Sequence, residues 1–145
     1  MAVRFGRAFN YCPAKHPIHE WKACIKAFAL PHKPDRALSG PLRVDLTFYM
    51  PRPSAHFGTG KNRDVMKPSA PSYCLSRPDR DNLDKALLDV MTELVFWIDD
   101  SQVCDGRIIK RYGPAVFLSG QKHNGCYVRI RECRTEKASL LENPV

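Results

Sequence analysis

This chain has 145 residues, of which 43% are hydrophobic and 26% are charged, so it is long enough for one domain with a hydrophobic core. It carries 23 Lys and Arg against 15 Asp and Glu, and the formal charge of +8 favours a phosphate-rich partner, with solubility alone as the alternative. Its apolar runs are shorter than the roughly 20 residues that cross a membrane, and no apolar signal core follows Met1, so we expect a cytoplasmic protein with reduced cysteines.

The first third of the chain predicts a strand, a helix and a second strand. Residues 3–9 indicate a short strand. Residues 19–30 have the apolar spacing of a helix that ends before Pro31. Residues 42–50 alternate apolar and polar side chains, which is typical of a strand with one buried face.

Residues 51–78 follow without regular spacing. This segment contains five prolines and two glycines, and a loop of this length is usually functional or disordered. Its basic side chains predict contacts with a DNA backbone, and a mobile solvated loop is the alternative. The candidates for DNA contact in this segment are Arg52, Lys61, Arg63, Lys67 and Arg77.

The remainder of the chain predicts one long helix and several strands. Residues 82–96 carry a broad apolar stripe at helical spacing, with Asp81 as the N-cap. Three further segments predict strands, at residues 102–112, 115–118 and 126–133. The order of elements predicts a single α+β domain over residues 1–135, with two main helices and a small mixed or antiparallel sheet. A weakly ordered tail is expected at residues 136–145.

Residues 79–105 concentrate acid in an otherwise basic chain. The stretch holds eight of the 15 acidic residues and only two basic ones, which gives it a formal charge of −6. Clustered carboxylates hold hard cations, and a basic surface attracts polyanions. The combination indicates metal-dependent work on nucleic acid.

Asp79 and Asp81 stand two residues apart at the start of the long helix, and they can flank one cation if the backbone bends. Mg²⁺ prefers one or two carboxylates together with waters and phosphate oxygens, so two acids suffice on the protein side. Lys85 follows Asp81 by one helical turn, where its charge can offset that of a phosphate. The alternatives are an N-cap at Asp81 and a solvated Asp81–Lys85 ion pair worth about 0.3 kcal/mol.

Asp99 and Asp100 are adjacent carboxylates just past the predicted helix. The negative end of the helix dipole disfavours them there, which suggests a functional demand, and an ordinary turn is the alternative. A helix of about fifteen residues spans about 22 Å and separates these acids from Asp79 and Asp81 within one chain. Two helices packed antiparallel about a two-fold axis bring the groups together, so we predict a homodimer with composite metal sites.

The stretch DRDNLDK at residues 79–85, followed by DDSQV at residues 99–103, resembles the RusA family of Holliday junction resolvases, which shares the pattern D-x-D-N-L-x-K…D-D-x-Q-V. The resemblance implies a RusA-like fold and a homodimeric, Mg²⁺-dependent endonuclease for which Mn²⁺ is a substitute. Its implied substrate is four-way junction DNA, cut during recombination and repair. Members of the family occur in bacteria, prophages and phages.

The resemblance also implies roles for individual residues by position. Asp79, Asp81 and Asp100 would be the catalytic, metal-binding acids, and Lys85 would be an essential basic residue of the catalytic site. Asp99 is a further candidate metal ligand. The matched region also contains Lys110, which joins the candidates for DNA contact.

Two other functions remain open on the residues. A basic protein could hold branched DNA without cutting it, while its acids only cap and solvate a helix. A less selective magnesium nuclease could cut flaps or replication forks. Salt-dependent binding without nicking would identify the first, and cleavage of flap DNA would identify the second.

Overall fold

Two α-helices and five strands make up the regular structure that the computed structural model describes, over residues 2–6, 18–113 and 125–134. The helices are α1, Ile18–Ala29, and α2, Arg80–Glu93. The strands are β1 at Ala2–Gly6, β2 at Leu42–Met50, β3 at Val103–Asp105, β4 at Ile108–Tyr112 and β5 at Gly125–Glu132. Short 3₁₀ turns lie at Leu30–His32, Ser54–His56, Gly60–Asn62 and Asp100–Gln102.

β2 is the central strand of a mixed sheet. It pairs antiparallel with β5, which pairs antiparallel with β1, and its other edge pairs in parallel with β3 and β4. One face of β2 is buried, as the alternation in the sequence predicts. The buried side chains of β2 are Leu42, Val44, Leu46 and Phe48.

β3 and β4 follow the same edge of β2 and are separated by Gly106 and Arg107. β3 pairs with the start of β2, and β4 pairs with its end. Gly106 has a φ of +144°, and a Cβ atom there would lie 1.9 Å from the carbonyl oxygen of Val44. Because only glycine avoids that clash, it is required where this strand bends past β2.

The two helices pack together over the buried face of the sheet. They contribute the buried residues Ile25, Ala29, Leu83, Leu87, Val90 and Met91. Trp97, fully buried after α2, donates its Nε1–H to Thr92 Oγ1 at 2.7 Å. Lys22 of α1 binds Asp89 of α2 at 3.1 Å. Burial of each large apolar side chain is worth about 1.5–3 kcal/mol, so this layer fixes α2 on the sheet.

A Schellman motif ends α2, with valine at the position that glycine usually takes. The N–H of Phe96 donates to the carbonyl oxygen of Met91, and that of Val95 donates to Thr92, both at 3.0 Å. Val95 has a φ of +62°, which costs a β-branched residue about 1–2 kcal/mol. Phe96 and Met91 are fully buried and offset that cost. The helix therefore stops at Glu93, three residues before the predicted end.

The α+β fold, with two main helices and a mixed sheet, is confirmed. The predicted start of α2 is two residues late, since the helix begins at Arg80 and Asp79 takes the N-cap position in place of Asp81. The predicted strand at residues 102–112 is divided by the bend at Gly106.

Three sequence predictions fall outside the described residues. They are the strand at residues 115–118, the end of the domain at residue 135 and the tail at residues 136–145. None of the helices that the structure describes combines the length and the apolar character needed to cross a bilayer.

Candidate active site

Two aspartates stand at the exposed start of α2. Asp79 occupies the N-cap position with extended backbone, yet its side chain makes no capping hydrogen bond. Asp81 lies in the first turn and is exposed. An N-cap aspartate normally accepts a hydrogen bond from an N–H two or three residues further on. The Asp79 carboxylate is instead available to an external ligand, and a hard cation is a ligand that such oxygens bind.

The segment that carries Asp79 is tied to β4. Lys110 Nζ donates to the carbonyl oxygen of Ser76 at 2.7 Å and to that of Pro78 at 3.0 Å. Arg80 Nη1 adds a long contact of 3.5 Å to a carbonyl oxygen at the start of β4. Lys110 therefore fixes the chain immediately before the first aspartate.

Hydrogen bonds from Gln102 close the turn after α2. Its Oε1 accepts from the N–H groups of Ile98 at 2.8 Å and Asp99 at 3.0 Å. Its Nε2 donates to the carbonyl oxygens of Leu38 and Gly40, both at 3.0 Å. The amide thus uses two acceptor positions and two donors, which is its full capacity. The glutamine of the DDSQV stretch therefore holds the turn against the loop before β2.

Asp99 and Asp100 have different roles in this turn. Asp99 Oδ1 accepts from the N–H of Ser101 at 2.8 Å and forms a capping box with Gln102. Hydrogen bonds from the side chain and the backbone of Ser101 lower the pKa of Asp99. Asp100 is exposed and lies within the turn rather than at its cap. Asp99 is therefore engaged in shaping the turn, while Asp100 faces solvent.

The conflict predicted between these two aspartates and the dipole of α2 does not occur. α2 ends at Glu93, and Asp99 stands at the N-cap of a separate 3₁₀ turn, where an aspartate is preferred. Local structure explains Asp99 without a functional demand. Asp100 lies in the first turn of the same 3₁₀ turn, where a carboxylate is also tolerated.

The two acidic groups lie at opposite ends of one helix and one strand. α2 has 14 residues, which corresponds to about 21 Å. In the sheet, Phe48 of β2 pairs with Lys110, which contacts the segment before α2, and Leu42 of β2 pairs with Val103, which follows the acidic turn. Phe48 and Leu42 are about 20 Å apart along β2. Among the described residues of one chain, no three His, Cys, Asp or Glu side chains gather as a metal site.

Lys85 lies on α2, one turn after Asp81. Its Nζ is 3.8 Å from Asp89 Oδ1, and the other oxygen of Asp89 accepts from Lys22. The ion pair of Lys85 with Asp89 therefore points along the helix, away from Asp81. The Lys85 side chain is 76% exposed, so this pair contributes little to stability and leaves the ammonium group accessible.

Some of the basic residues predicted to contact DNA hold the 51–78 loop in place. Arg52 donates to the carbonyl oxygens of Gly113 and Pro71, both at 2.7 Å, and its guanidinium lies 5.3 Å from the centre of the Tyr112 ring. Lys67 Nζ donates to a carbonyl oxygen within the loop at 3.0 Å. Three others are exposed, namely Lys61, Arg63 and Arg77. DNA contact stays a prediction for all of them.

Arg80 and Arg107 were not singled out from the sequence as binding residues. With Lys110 and Tyr73 they line a groove of about 550 Å³ between the start of α2 and the edge strand β4. The sequence signals for them were the position of Arg80 between two aspartates and that of Arg107 within the stretch that resembles the RusA family. The groove itself depends on the bend at Gly106, which periodicity does not reveal.

Comparisons with known proteins bear on this arrangement. The family model described as endodeoxyribonuclease RusA matches residues 3–130. The uncharacterized protein YqaN of Bacillus subtilis strain 168 is 28% identical over 116 residues, which cover 77% of this chain and 75% of that protein. The crossover junction endodeoxyribonucleases RusA of Escherichia coli K12 and of Enterobacteria phage 82 are each 53% identical over 34 residues. Those 34 residues are 23% of this chain and 28% of each nuclease, so the likeness to the named nucleases is local.

Proposed function

Because this chain belongs to the RusA endodeoxyribonuclease family, we propose that it is a Mg²⁺-dependent endonuclease that resolves four-way DNA junctions by phosphodiester hydrolysis. The observation that carries the proposal is the exposed pair Asp79 and Asp81 at the start of α2, where Asp79 makes no capping hydrogen bond. The charge of +8 supports a polyanionic substrate. Symmetric cuts during DNA recombination and repair are the role that fits this activity.

The donor set suits a hard divalent cation. Asp79 and Asp81 provide two carboxylates, the number that Mg²⁺ commonly takes from a protein, and Mn²⁺ accepts the same oxygen ligands. Asp100 is the third acid in our proposal, and Asp99 is the weaker candidate because it already accepts a hydrogen bond from Ser101. A divalent ion bound by these carboxylates would supply Lewis acidity and a more acidic water. The fold of the chain would hold these carboxylates in fixed positions near the two ends of α2.

The third acid comes, in our proposal, from a second copy of the chain. Asp100 lies about 20 Å from the start of its own α2, which is too far for a shared ion. Two α2 helices packed antiparallel about a two-fold axis bring the start of one to the end of the other. Val95 and Ile98, on either side of buried Phe96 and Trp97, are 47% and 71% exposed. Exposed apolar side chains beside the acidic turn suit a subunit contact.

Basic side chains would hold the DNA against the acids. The accessible ammonium group of Lys85, one turn from Asp81, is placed to offset the charge of the phosphate being cut. The exposed Lys61, Arg63 and Arg77 would contact the DNA backbone. Arg52, Lys67 and Lys110 would act on the same surface by ordering the loop, through the carbonyl contacts that they make.

Cleavage of a synthetic four-way junction tests the proposal. The purified chain is incubated with junction, flap and linear duplex DNA in Mg²⁺, in Mn²⁺ and in EDTA. We expect paired, symmetric nicks in the junction that require a divalent ion and little cutting of linear duplex. Equal cutting of flaps would replace the junction resolvase with a less selective nuclease. Salt-sensitive junction binding without any nicking would leave a DNA-binding protein that does not cut.

A further inference from the structure

A basic groove lies beside the start of α2. Its lining comprises Tyr73, Arg80 and residues 106–110, and its volume is about 550 Å³. Three of the lining side chains, Arg80, Arg107 and Lys110, are cationic, and the lining contains no acidic residue. A concave surface with this charge attracts an anion.

The cations of the groove retain unused hydrogen-bond donors. Arg80 makes one long contact of 3.5 Å through Nη1. Lys110 donates twice, to carbonyl oxygens, and an ammonium group has three donors. Arg107 is exposed, and its guanidinium makes no hydrogen bond or ion pair with the described residues, although its backbone N–H donates to Asp45 Oδ1 at 2.9 Å. Phosphate oxygens are the acceptors that such a group of cations binds best.

Tyr73 adds an aromatic surface to the groove. Its backbone pairs with that of Arg111 in β4, and the neighbouring Ser72 carbonyl oxygen accepts from Tyr112 N–H at 2.9 Å. The Tyr73 residue is nevertheless 64% exposed. An anchored backbone with an exposed ring is suited to stacking against a nucleobase, because every base offers a flat face.

The groove and the aspartates share the same supports. Lys110 lines the groove and also fixes the Pro78 carbonyl, one residue before Asp79. Arg80 lines the groove and lies between Asp79 and Asp81 in the chain. The groove therefore adjoins the segment that carries Asp79 and Asp81.

We propose that this groove binds one nucleotide of the DNA strand next to the cleavage site, with its phosphate held by Arg80, Arg107 and Lys110 and its base stacked on Tyr73. The location relative to the cut rests on the proposed nuclease function, whereas the binding itself does not. The ligand class is a nucleoside phosphate within a polynucleotide.

Binding of junction DNA in EDTA, measured against salt concentration, tests the phosphate contacts. The Arg80→Gln, Arg107→Gln double variant should bind at least tenfold more weakly and reduce the salt slope by about 2. The control is the Lys33→Gln, Arg36→Gln variant, which removes the same charge from the loop before β2. Among single variants, Arg107→Lys should retain part of the DNA affinity that Arg107→Gln loses. Equal affinity and slope for the groove variant and the control would overturn the proposal.

A fluorescent base analogue tests the stacking contact. With 2-aminopurine placed singly along one junction strand, one position should be quenched by the wild-type protein and by Tyr73→Phe, but not by Tyr73→Leu. The Tyr73→Leu variant should also bind DNA about tenfold more weakly. Quenching that is unchanged in Tyr73→Leu would contradict the assignment.

Two further readouts separate the outcomes. Inorganic phosphate and a free mononucleotide are added as competitors of junction DNA, which shows whether the groove prefers small anions. Tight mononucleotide binding, together with groove variants that bind the junction normally, would overturn the assignment of the groove to a DNA strand. Junction cleavage by the wild type in Mg²⁺ is scored separately. If the wild type does not cleave the junction but the groove variants weaken DNA binding, the nuclease proposal is contradicted and the groove proposal is supported. If the wild type cleaves the junction but the groove variants bind DNA as tightly as the wild type does, the groove proposal is contradicted and the nuclease proposal is supported.

Discussion

The two ends of α2 carry aspartates in different structural states. At the start of the helix, Asp79 stands in a capping position without a capping bond, and Asp81 is exposed beside it. In the turn after the helix, Asp99 and Gln102 form a closed set of hydrogen bonds. Acidic residues in one short stretch thus have different surroundings, and local hydrogen bonding distinguishes a structural carboxylate from one that is available to a ligand.

The largest expected effect is on catalysis. Asp79→Asn and Asp100→Asn should each reduce junction cleavage at least a hundredfold, because each removes a proposed ligand, while leaving the free energy of unfolding within about 0.5 kcal/mol of the wild type. Rates come from gel assays in Mg²⁺, and stability comes from urea unfolding. Asp35→Asn, at an exposed aspartate outside the acidic stretch, is the control. Full activity in either variant would contradict the assignment.

Loss of the Gln102 side chain should have the largest effect on stability. Gln102→Ala removes four hydrogen bonds, so it should lower the free energy of unfolding by about 2–3 kcal/mol. Asn82→Ala, at an exposed amide beside Asp81, should change it by less than about 0.5 kcal/mol. If Gln102→Ala and Asn82→Ala lowered the free energy of unfolding equally in urea, the turn after α2 would not be held more firmly by side-chain hydrogen bonds than the start of α2.

The strained end of α2 predicts a stabilising substitution. Val95→Gly removes a β-branched residue from the left-handed region and should raise the free energy of unfolding by about 0.5–1 kcal/mol. Leu94→Gly is the control and should lower it, because Leu94 has right-handed helical backbone and also packs against the core. Thermal unfolding at low protein concentration measures both variants. Destabilisation by Val95→Gly would show that the valine side chain contributes contacts that outweigh its strain.

The smallest effect is a dependence on pH that has opposite signs at two aspartates. Hydrogen bonds from Ser101 lower the pKa of Asp99 from its ordinary value of 3.8. The ionised Asp99 side chain therefore stabilises the fold above pH 3.8, and this stabilisation is lost as the pH falls below that value. Burial raises the pKa of Asp84, which the charge of Arg80 partly counters, so Asp84 destabilises the fold as the pH rises above 3.8.

Unfolding measurements across pH test this pair. At neutral pH, Asp99→Asn should destabilise the protein and Asp84→Asn should stabilise it. Both differences from the wild type should shrink when the pH is lowered towards 3.8 and below. Differences of the same sign for the two variants at neutral pH would contradict this account.

The elements with a regular apolar spacing were predictable from the sequence. The alternation from Leu42 to Met50 located β2, and the apolar stripe located α2, because burial against one layer imposes a period on the chain. The end of α2 was missed because valine rarely adopts the backbone that Val95 has. The bend at Gly106 was missed because it depends on the approach of a distant carbonyl group.

The candidate site was only partly predictable for the same reason. The resemblance identified Asp79, Asp81 and Asp100 as candidates, but the capping role of Asp99 depends on where a 3₁₀ turn begins. The contacts of Arg52 with Pro71 and with a distant glycine could not be read from composition, since they join parts of the chain far apart in sequence. Tertiary contacts, rather than residue type, decide which basic side chains stay exposed.

The central claim is that one active site takes its acids from two chains. An Asp81→Asn chain and an Asp100→Asn chain, each inactive alone, are mixed, allowed to exchange subunits and assayed on a four-way junction. A composite site restores one complete set of acids in each heterodimer, so single nicks should return on one strand of each junction. Mixtures that form heterodimers, shown by tagged co-purification, and still fail to nick would contradict shared sites.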